Sequence, residues 1–311
     1  MKKVVVLGGG TGLSTLLRGL KQFPLDISAI VSVSDDGRST GRLREEFKTP
    51  AVGDVRQVLI SLSETEPLVQ KLLNYRFSTT SDLNGHTIGN LLLTAMSDIT
   101  GNLSSAVESL SDVFNLKGKV IPLTEDDVTL MGIMTDGTIV EGENQITAAN
   151  KKIDKIYYKK TPTINEDALV AIKEADLIVL SMGSLYTSII PNLICQEIID
   201  VMNESNSQIM YVSNMMTQPG ETDGFNVSDH IKVLNRYLQK RKVDIVIAND
   251  GEISDELRKK YEVLEQKDPV LIDEENLTEV EVVADDFILV EDEMIRHDYL
   301  KLAFHIFSNL I

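Results

Sequence analysis

The chain opens with an apolar run that leads directly into a cluster of glycines: Val4-Val5-Val6-Leu7, then Gly8-Gly9-Gly10-Thr11-Gly12. Leucines spaced three and four apart follow over residues 13–20, as is typical of a helix. A strand, a glycine turn and a helix form a phosphate-binding βα unit, because glycines let an anion approach the backbone and the helix start offers unpaired N–H groups. We therefore expect a phosphate compound to bind at Gly9, Gly10, Thr11 and Gly12.

Two familiar nucleotide-binding templates fit this turn imperfectly. The dinucleotide fingerprint places glycines at the first, third and sixth positions, and here Leu13 stands at the sixth. A P-loop ends in Gly-Lys-Ser/Thr, whereas this turn ends in Gly12-Leu13-Ser14 without a lysine. The pattern thus argues against a P-loop ATPase and against a nicotinamide-dependent oxidoreductase, and it leaves open a turn that binds no ligand.

Composition narrows the class of partner. The 311 residues include 48 acidic and 30 basic side chains, giving a net charge of −18. Such a chain is a poor match for nucleic acid or an anionic membrane, so a phosphate ligand must be attracted by local groups. Cys195 is the single cysteine, which excludes an internal disulfide and a cysteine-based zinc site. With no secretory leader and no bilayer-length apolar stretch, we expect a cytoplasmic protein without membrane insertion.

The order of elements predicts the fold class. Apolar strand patterns at residues 4–7, 27–33, 177–180, 209–212 and 245–248 alternate with helical patterns at 55–62, 90–96, 193–202 and 229–238. This alternation predicts a Rossmann-like three-layer α/β/α domain over residues 1–311 with a mostly parallel sheet. Around residues 120–160 the pattern changes, and Asp136-Gly137 between two apolar runs predicts an antiparallel hairpin insert. The lysine-free and arginine-free acidic stretch at 268–294 is expected to fold with a solvated face.

A second polar cluster follows the second predicted strand, over residues 34–44. It combines adjacent carboxylates, Asp35 and Asp36, with hydroxyl groups and three arginines, more than ribose recognition requires. Adjacent carboxylates can hold Mg²⁺ that also binds phosphate oxygens, and arginines pair with phosphates. The alternative is a solvated loop with an Asp-Gly turn. The candidate ligand-binding residues here are Ser34, Asp35, Asp36, Arg38 and Ser39.

Two further segments place chemically active residues where helices begin. Asp54, in Gly53-Asp54-Val55-Arg56-Gln57, either caps a helix or points into the site. His86 lies between small residues in Gly85-His86-Thr87-Ile88-Gly89-Asn90, where it could donate to a phosphate or act as a general acid or base. Asn90 is the candidate binding residue of this segment.

Polar loops also follow two later strands. Since the carboxyl ends of parallel strands open on one edge of a sheet, all of these loops should converge on one crevice. The candidate binding residues in the later loops are Gly183, Ser184, Tyr186, Thr187, Ser188, Asn214 and Gln218.

Taken together, the five motifs (residues 8–12, 34–41, 53–57, 85–90 and 183–188) resemble the gluconeogenesis factors, bacterial relatives of the 2-phospho-L-lactate transferases. The resemblance implies a Rossmann-like fold and a cytoplasmic protein that binds UDP-type nucleotide sugars and supports growth on gluconeogenic carbon sources and normal cell shape. By the same resemblance, Asp54 matches an aspartate near the acceptor and the metal, so that Asp35, Asp36 and Asp54 are the candidate Mg²⁺ ligands. His86 matches a histidine beside the substrate.

The chain also departs from the transferases. Leu83-Asn84-Gly85 replaces a charged run before His86, and Gly89 stands where an arginine is expected, so the acceptor side looks altered. Within the gluconeogenesis-factor branch, Tyr261 could stack on uracil and Arg296 could pair with a diphosphate or a base edge. The functions that remain open are a nucleotide-sugar-binding regulator, with a homo-oligomer and envelope-synthesis proteins as expected partners, a Mg²⁺-dependent transferase, and an oxidoreductase.

Overall fold

The architecture is a seven-stranded parallel sheet with helices packed on it, seen in a computed structural model that describes residues 1–65, 67–291 and 294–311. Elements are numbered along the chain, and the sheet contains β1 (Lys2–Gly8), β2 (Leu25–Val31), β3 (Lys119–Pro122), β7 (Leu177–Leu180), β8 (Gln208–Val212), β9 (Ile245–Asn249) and β10 (Glu281–Asp285). The strand order is β10-β9-β8-β7-β1-β2-β3. The chain therefore builds outward from β1 to β3 and then returns to the other side of β1. The topological switch point, where ligands bind in such sheets, lies between β1 and β7.

The central strands are buried on both faces, as their continuous apolar sequence requires. Val4 and Val6 of β1, like Val179 and Leu180 of β7, are fully buried. The helices that cover the sheet and its connections are α1 (Gly10–Leu20), α2 (Arg38–Phe47), α3 (Gly53–Leu62), α4 (Pro67–Asn74), α5 (Ile88–Thr100), α6 (Leu103–Val113), α7 (Glu143–Ala148), α8 (Glu166–Glu174), α9 (Ile190–Leu193), α10 (Gln196–Glu204), α11 (Val227–Leu238), α12 (Asp255–Lys260) and α13 (Tyr299–Ser308).

The predicted antiparallel insert is present as a small separate sheet in the order β5-β4-β6. Its strands are β4 (Leu130–Met134), β5 (Ile139–Glu141) and β6 (Ile153–Tyr158), and the β4–β5 turn contains Gly137 at φ 82°. The insert begins later than residue 120, because β3 pairs in parallel with β2 and belongs to the main sheet. Only Val120 and Ile121 of β3 form an apolar run, between Lys119 and Pro122, so the strand was not recognised from its sequence.

The acidic segment at 268–294 contributes the edge strand β10 and the strand β11 (Ile288–Glu291), which pairs with β12 (Met294–His297). Two residues of the predicted stretch, Asp292 and Glu293, lie outside the described residues. These elements confirm the Rossmann-like α/β class with a parallel sheet and small antiparallel additions. Across the part of the chain that the structure describes, no helix combines the length and apolarity needed to span a bilayer.

Candidate functional site

The glycine turn after β1 lies against the carboxylate of Asp54. Gly10 opens α1 at φ 62°, and its backbone N–H donates to Asp54. A Cβ on Gly9 would lie 2.6 Å from Asp54 Oδ2 and 2.7 Å from Ser32 Oγ, so only glycine allows this approach. The start of α1 therefore holds a protein carboxylate close to where the sequence predicts a ligand phosphate.

The turns at the two sides of the switch point pack directly against each other. A Cβ on Gly12 would overlap the Met182 carbonyl and lie 2.6 Å from the Gly183 nitrogen. A Cβ on Gly183 would lie 3.0 Å from Ser188 Cβ and 3.2 Å from the Gly9 oxygen. The structure thus brings together the predicted residues of both loops, while Thr11 is exposed at the mouth.

Four carboxylates, Asp35, Asp54, Glu143 and Glu221, form what we call the acidic wall. A Cβ on Gly53 would lie 2.7 Å from Asp35 Oδ2, which places Asp35 beside the residue that precedes Asp54. Burial, with a contribution from Asp35, raises the pKa of Asp54 to about 7. Burial and repulsion from Asp54 and Asp35 raise the pKa of Glu143 well above its ordinary value. The acidic wall is therefore prepared to bind a proton or a cation.

The candidate Mg²⁺ ligands differ in how far their carboxylate oxygens are already hydrogen-bonded within the protein. Asp36 Oδ1 accepts from the Asn144 backbone at 2.9 Å and from its side chain at 2.6 Å, which ties Asp36 to the insert. Asp35 Oδ1 accepts from the Gly37 nitrogen at 2.8 Å and leaves Oδ2 beside Gly53. Among the described residues no three His, Cys, Asp or Glu side chains converge as a metal site. Asp35 and Asp54 fit a Mg²⁺ ion that takes one or two carboxylates and completes its shell with phosphate and water.

Glu221 organises the loop after β7 from inside the protein. Its Oε1 accepts from Thr147 Oγ1 and from Gln218 Nε2, both at 2.9 Å. Its Oε2 accepts from Ser184 Oγ, and Thr187 Oγ1 donates to Ser184 Oγ at 2.7 Å. The predicted binding residues Ser184, Thr187 and Gln218 thus direct their polar groups to Glu221, which is 2% exposed. In this arrangement they shape the loop rather than point at a ligand.

Among the remaining predicted residues of the loops after β7 and β8, some pack inside the protein and others line a cavity. Tyr186 is 4% exposed and packs toward Tyr237, and burial raises the pKa of Tyr186 to about 12. Asn214 Nδ2 donates to the Gly183 carbonyl at 3.1 Å, joining the ends of β7 and β8. A cavity of about 530 Å³ opens beyond this junction, lined by Asn214, Gln218 and their neighbours.

On the other side of α3, His86, Arg42, Arg56 and Arg76 form what we call the basic wall. His86 Nδ1 lies 3.0 Å from Ser39 Oγ, which accepts from Asn90 Nδ2 at 3.1 Å, so these three predicted residues meet. Burial, aided by Arg42, lowers the pKa of His86, and burial also lowers the pKa of Arg56. The ring of His86 is therefore neutral at pH 7.

Two buried polar atoms at the basic wall have no hydrogen-bond partner among the described residues: Arg56 Nε, a donor, and Asn90 Oδ1, an acceptor. Arg38, at the start of α2, is exposed and makes no ion pair or hydrogen bond with a described residue. Because buried polar groups in native proteins are almost always paired, the unpaired donor and acceptor mark a place for a polar ligand.

Of the two late candidates, Tyr261 packs near Met216, which lines the cavity beside Asn214 and Gln218. Tyr261 is 4% exposed in a small cluster with Met215 and Ile295, and its hydroxyl accepts from the Ile295 nitrogen at 2.8 Å. A uracil ring would reach the Tyr261 ring only if this cluster opened. Arg296 is exposed on β12, where its side chain donates a hydrogen bond to Met294 Sδ at 3.7 Å. Both assignments stay predictions.

Sequence reasoning missed Glu143, Glu221 and Arg56 as members of the site. Arg56 stands two residues after Asp54 in a motif that was already conspicuous, so its place at the start of α3 was available as a signal. Glu143 and Glu221 are single carboxylates in long polar stretches. Glu143 reaches the acidic wall with α7 of the insert and Glu221 with the loop after β8, and no local sequence pattern indicates either placement.

Comparison with known proteins identifies the family of the chain and confirms its fold. The model of the family described as 2-phospho-L-lactate transferase CofD matches residues 4–288. The chain is 45% identical over 306 residues to a gluconeogenesis factor of Halalkalibacterium halodurans, covering 97% of this chain and 94% of that protein. It is 44% identical over 306 residues to the Bacillus subtilis gluconeogenesis factor, covering 97% and 96%. A crystal structure of a Bacillus halodurans protein superposes with a TM-score of 0.95 at 44% identity, covering 98% of this chain and 99% of that one. The chain therefore belongs to the CofD family, and the relatives it resembles at more than 40% identity are bacterial gluconeogenesis factors.

Proposed function

We propose that this protein is a cytoplasmic regulator that binds a UDP-type nucleotide sugar at the switch point between β1 and β7. In this role it would support growth on gluconeogenic carbon sources and normal cell shape, acting as a homo-oligomer or through envelope-synthesis proteins. The observation that carries the proposal is the unpaired donor and acceptor, Arg56 Nε and Asn90 Oδ1, near the starts of α3 and α5.

Charge supports a nucleotide diphosphate as the ligand. Arg38 and Arg56 supply cations that have no carboxylate in an ion pair among the described residues, in a protein of net charge −18. Arginines bind phosphates through two parallel hydrogen bonds. Asp35 and Asp54 would hold a Mg²⁺ ion that neutralises the same diphosphate. A diphosphate with bound Mg²⁺ would thus interact with the charges of both walls, whereas an uncharged sugar would interact with the charges of neither.

A second candidate function, a Mg²⁺-dependent transferase, is favoured by one observation. The pKa of Asp54 is raised to about 7, as suits a group that takes a proton from an attacking hydroxyl at neutral pH. In such a reaction the arginines would neutralise charge on the transferred group, and most of the catalysis would come from positioning. The glycine at position 89 favours the regulator, because the transferases are expected to carry an arginine there.

Calorimetric titration with UDP-glucose, with and without Mg²⁺, tests the proposal. We expect binding that Arg38→Gln weakens about tenfold, the loss of one charged hydrogen bond. Lys232→Gln is the control for loss of charge, because it removes an exposed cation on α11. A protein that shows no heat and no thermal stabilisation with UDP-glucose at millimolar concentration does not have the proposed function.

Phosphorus NMR of the same mixtures separates the two candidates. A regulator leaves UDP-glucose intact over hours, and saturation at about 100 times the dissociation constant stabilises the fold by about 2.7 kcal/mol. A transferase releases a new phosphorus resonance in the presence of Mg²⁺ and an acceptor alcohol. Release that Asp54→Asn abolishes while binding persists would establish the second candidate.

A further inference from the structure

A second cavity, of about 520 Å³, lies on the outer side of α1, away from the glycine turn. Helices α1, α3 and α4 and the start of α13 form its walls. The residues that matter for its chemistry are Arg18, Lys21, Gln57, Gln70, Asn74 and Tyr299. None of the described residues that line it is acidic, although the chain has 48 acidic residues.

The two cations of this cavity form no ion pair with any residue that the structure describes. Arg18 lies 4.5 Å from the centre of the Tyr299 ring and makes no hydrogen bond or ion pair with a described residue. Lys21 Nζ donates to the Ser63 carbonyl at 2.7 Å. Burial lowers the pKa of Lys21, and Glu64, which raises it, already pairs with Lys117 at 3.4 Å. A partly buried ammonium group without a carboxylate gains most from an anion that enters the cavity.

Side-chain amides add hydrogen-bond donors to the two cations of this cavity. Asn74 Oδ1 accepts from Arg56 Nη1 at 3.1 Å, so the Asn74 amide group remains free to donate into the cavity. The Gln57 side chain makes no hydrogen bond with a described residue, and Gln70 Nε2 donates only to the Thr65 carbonyl, at 3.4 Å. A guanidinium, an ammonium and amide donors around one space match a small anion with several phosphate oxygens.

We propose that this cavity is a second anion site, which binds a small phosphorylated metabolite carrying at least two negative charges. It is separate from the switch-point crevice, since it lies along the length of α1 rather than at its start. Asn74 connects the cavity with the basic wall, because it lines the cavity and accepts a hydrogen bond from Arg56. A ligand in the cavity would shift that contact, and by linkage the two ligands would alter each other's affinity equally.

Calorimetric titration with inorganic pyrophosphate in metal-free buffer tests the site. We expect wild-type binding that Arg18→Gln weakens about tenfold and that Arg18→Gln with Lys21→Met weakens further, since Met keeps the buried stem of Lys21. Lys232→Gln, with the same loss of charge as Arg18→Gln, should bind as the wild type does. Apo melting temperatures show that each variant is folded, and Gln57→Leu provides a variant that alters no charge.

The outcomes decide between this cavity and the crevice. Binding that resists both the double variant and Gln57→Leu but is lost in Arg38→Gln places pyrophosphate in the crevice and overturns the proposal. The absence of binding at about 10 mM, roughly ten times the weak end of usual substrate affinities, also overturns it. Citrate serves as the second probe, and equal affinity for citrate overturns the preference for phosphate. UDP-glucose titrations of the same variants report the proposed function separately, so either proposal can fail alone.

Discussion

The acidic wall and the basic wall meet at α3, where Asp54 and Arg56 are two residues apart, yet they respond to burial in opposite ways. Burial raises the pKa of Asp54 and lowers the pKa of Arg56, so each wall holds charges that the fold disfavours. Side chains two residues apart on a helix point to different faces, and no salt bridge joins Asp54 to Arg56 among the described residues. The walls are therefore kept apart, which suits a ligand that offers a cation to one and an anion to the other.

Removing the charge of Asp54 should have the largest effect on stability. The folded pKa of about 7 exceeds the ordinary 3.8, so the native state binds more protons between these values and stability falls as pH rises through that window. Asp54→Asn keeps an acceptor for Gly10 N–H and should stabilise the protein by about 2–4 kcal/mol above pH 7. Below pH 4 the gain should vanish.

Urea unfolding at pH 4, 6 and 8 measures this difference. Asp112→Asn is the control, because Asp112 is exposed on α6 and far from either wall. An Asp54→Asn protein less stable than the wild type at pH 8 would show that a partner stabilises the Asp54 carboxylate. The acidic wall would then not be a site prepared for cations.

A substitution that displaces the glycine turn should disturb both the acidic wall and the basic wall. Gly12→Ala places a Cβ against the Met182 carbonyl and 2.6 Å from the Gly183 nitrogen. Both neighbours are backbone atoms that cannot rotate away, so we expect a loss of about 3 kcal/mol, seen as a lower urea midpoint. Ser14→Ala, on the next turn of α1, controls for the change of residue type. If Gly12→Ala matched that control, the two loops would not be packed as described.

Arg56→Gln and Asp54→Asn should change UDP affinity differently, because the first removes a cation of the basic wall and the second an anion of the acidic wall. Loss of this cation should weaken UDP binding about tenfold, or about 1.4 kcal/mol, because it removes a charged hydrogen bond. Asp54→Asn should leave UDP affinity in metal-free buffer unchanged or tighter, since it removes a repelling carboxylate. Calorimetry on both variants measures the contrast, with Arg236→Gln on the exposed face of α11 as control. Equal losses in the two variants would mean that one shared pocket, not two walls, binds the nucleotide.

Much of this arrangement was predictable from the sequence, and what was not has a physical reason. The apolar run before Gly8 and the alternation after it predicted the parallel sheet, because buried strands need continuous apolar sequence. Ser39, His86 and Asn90 were predicted as site residues and do meet. The orientation of polar side chains was not predictable: Ser184 and Thr187 point toward Glu221, which is brought close only by the folded chain.

The last and smallest effect concerns the proton on His86. Burial and Arg42 lower its pKa, so the folded protein binds fewer protons than the unfolded chain near pH 6, and stability should rise with pH through that region. A diphosphate on the basic wall would reverse this trend, because a nearby negative charge favours the imidazolium form. Proton NMR should show the His86 resonance titrating below 6.5 in the free protein and at a higher pH with UDP, with His86→Gln used for assignment. An unchanged titration on saturation would place the diphosphate away from the basic wall and leave the acidic wall as the only ligand contact.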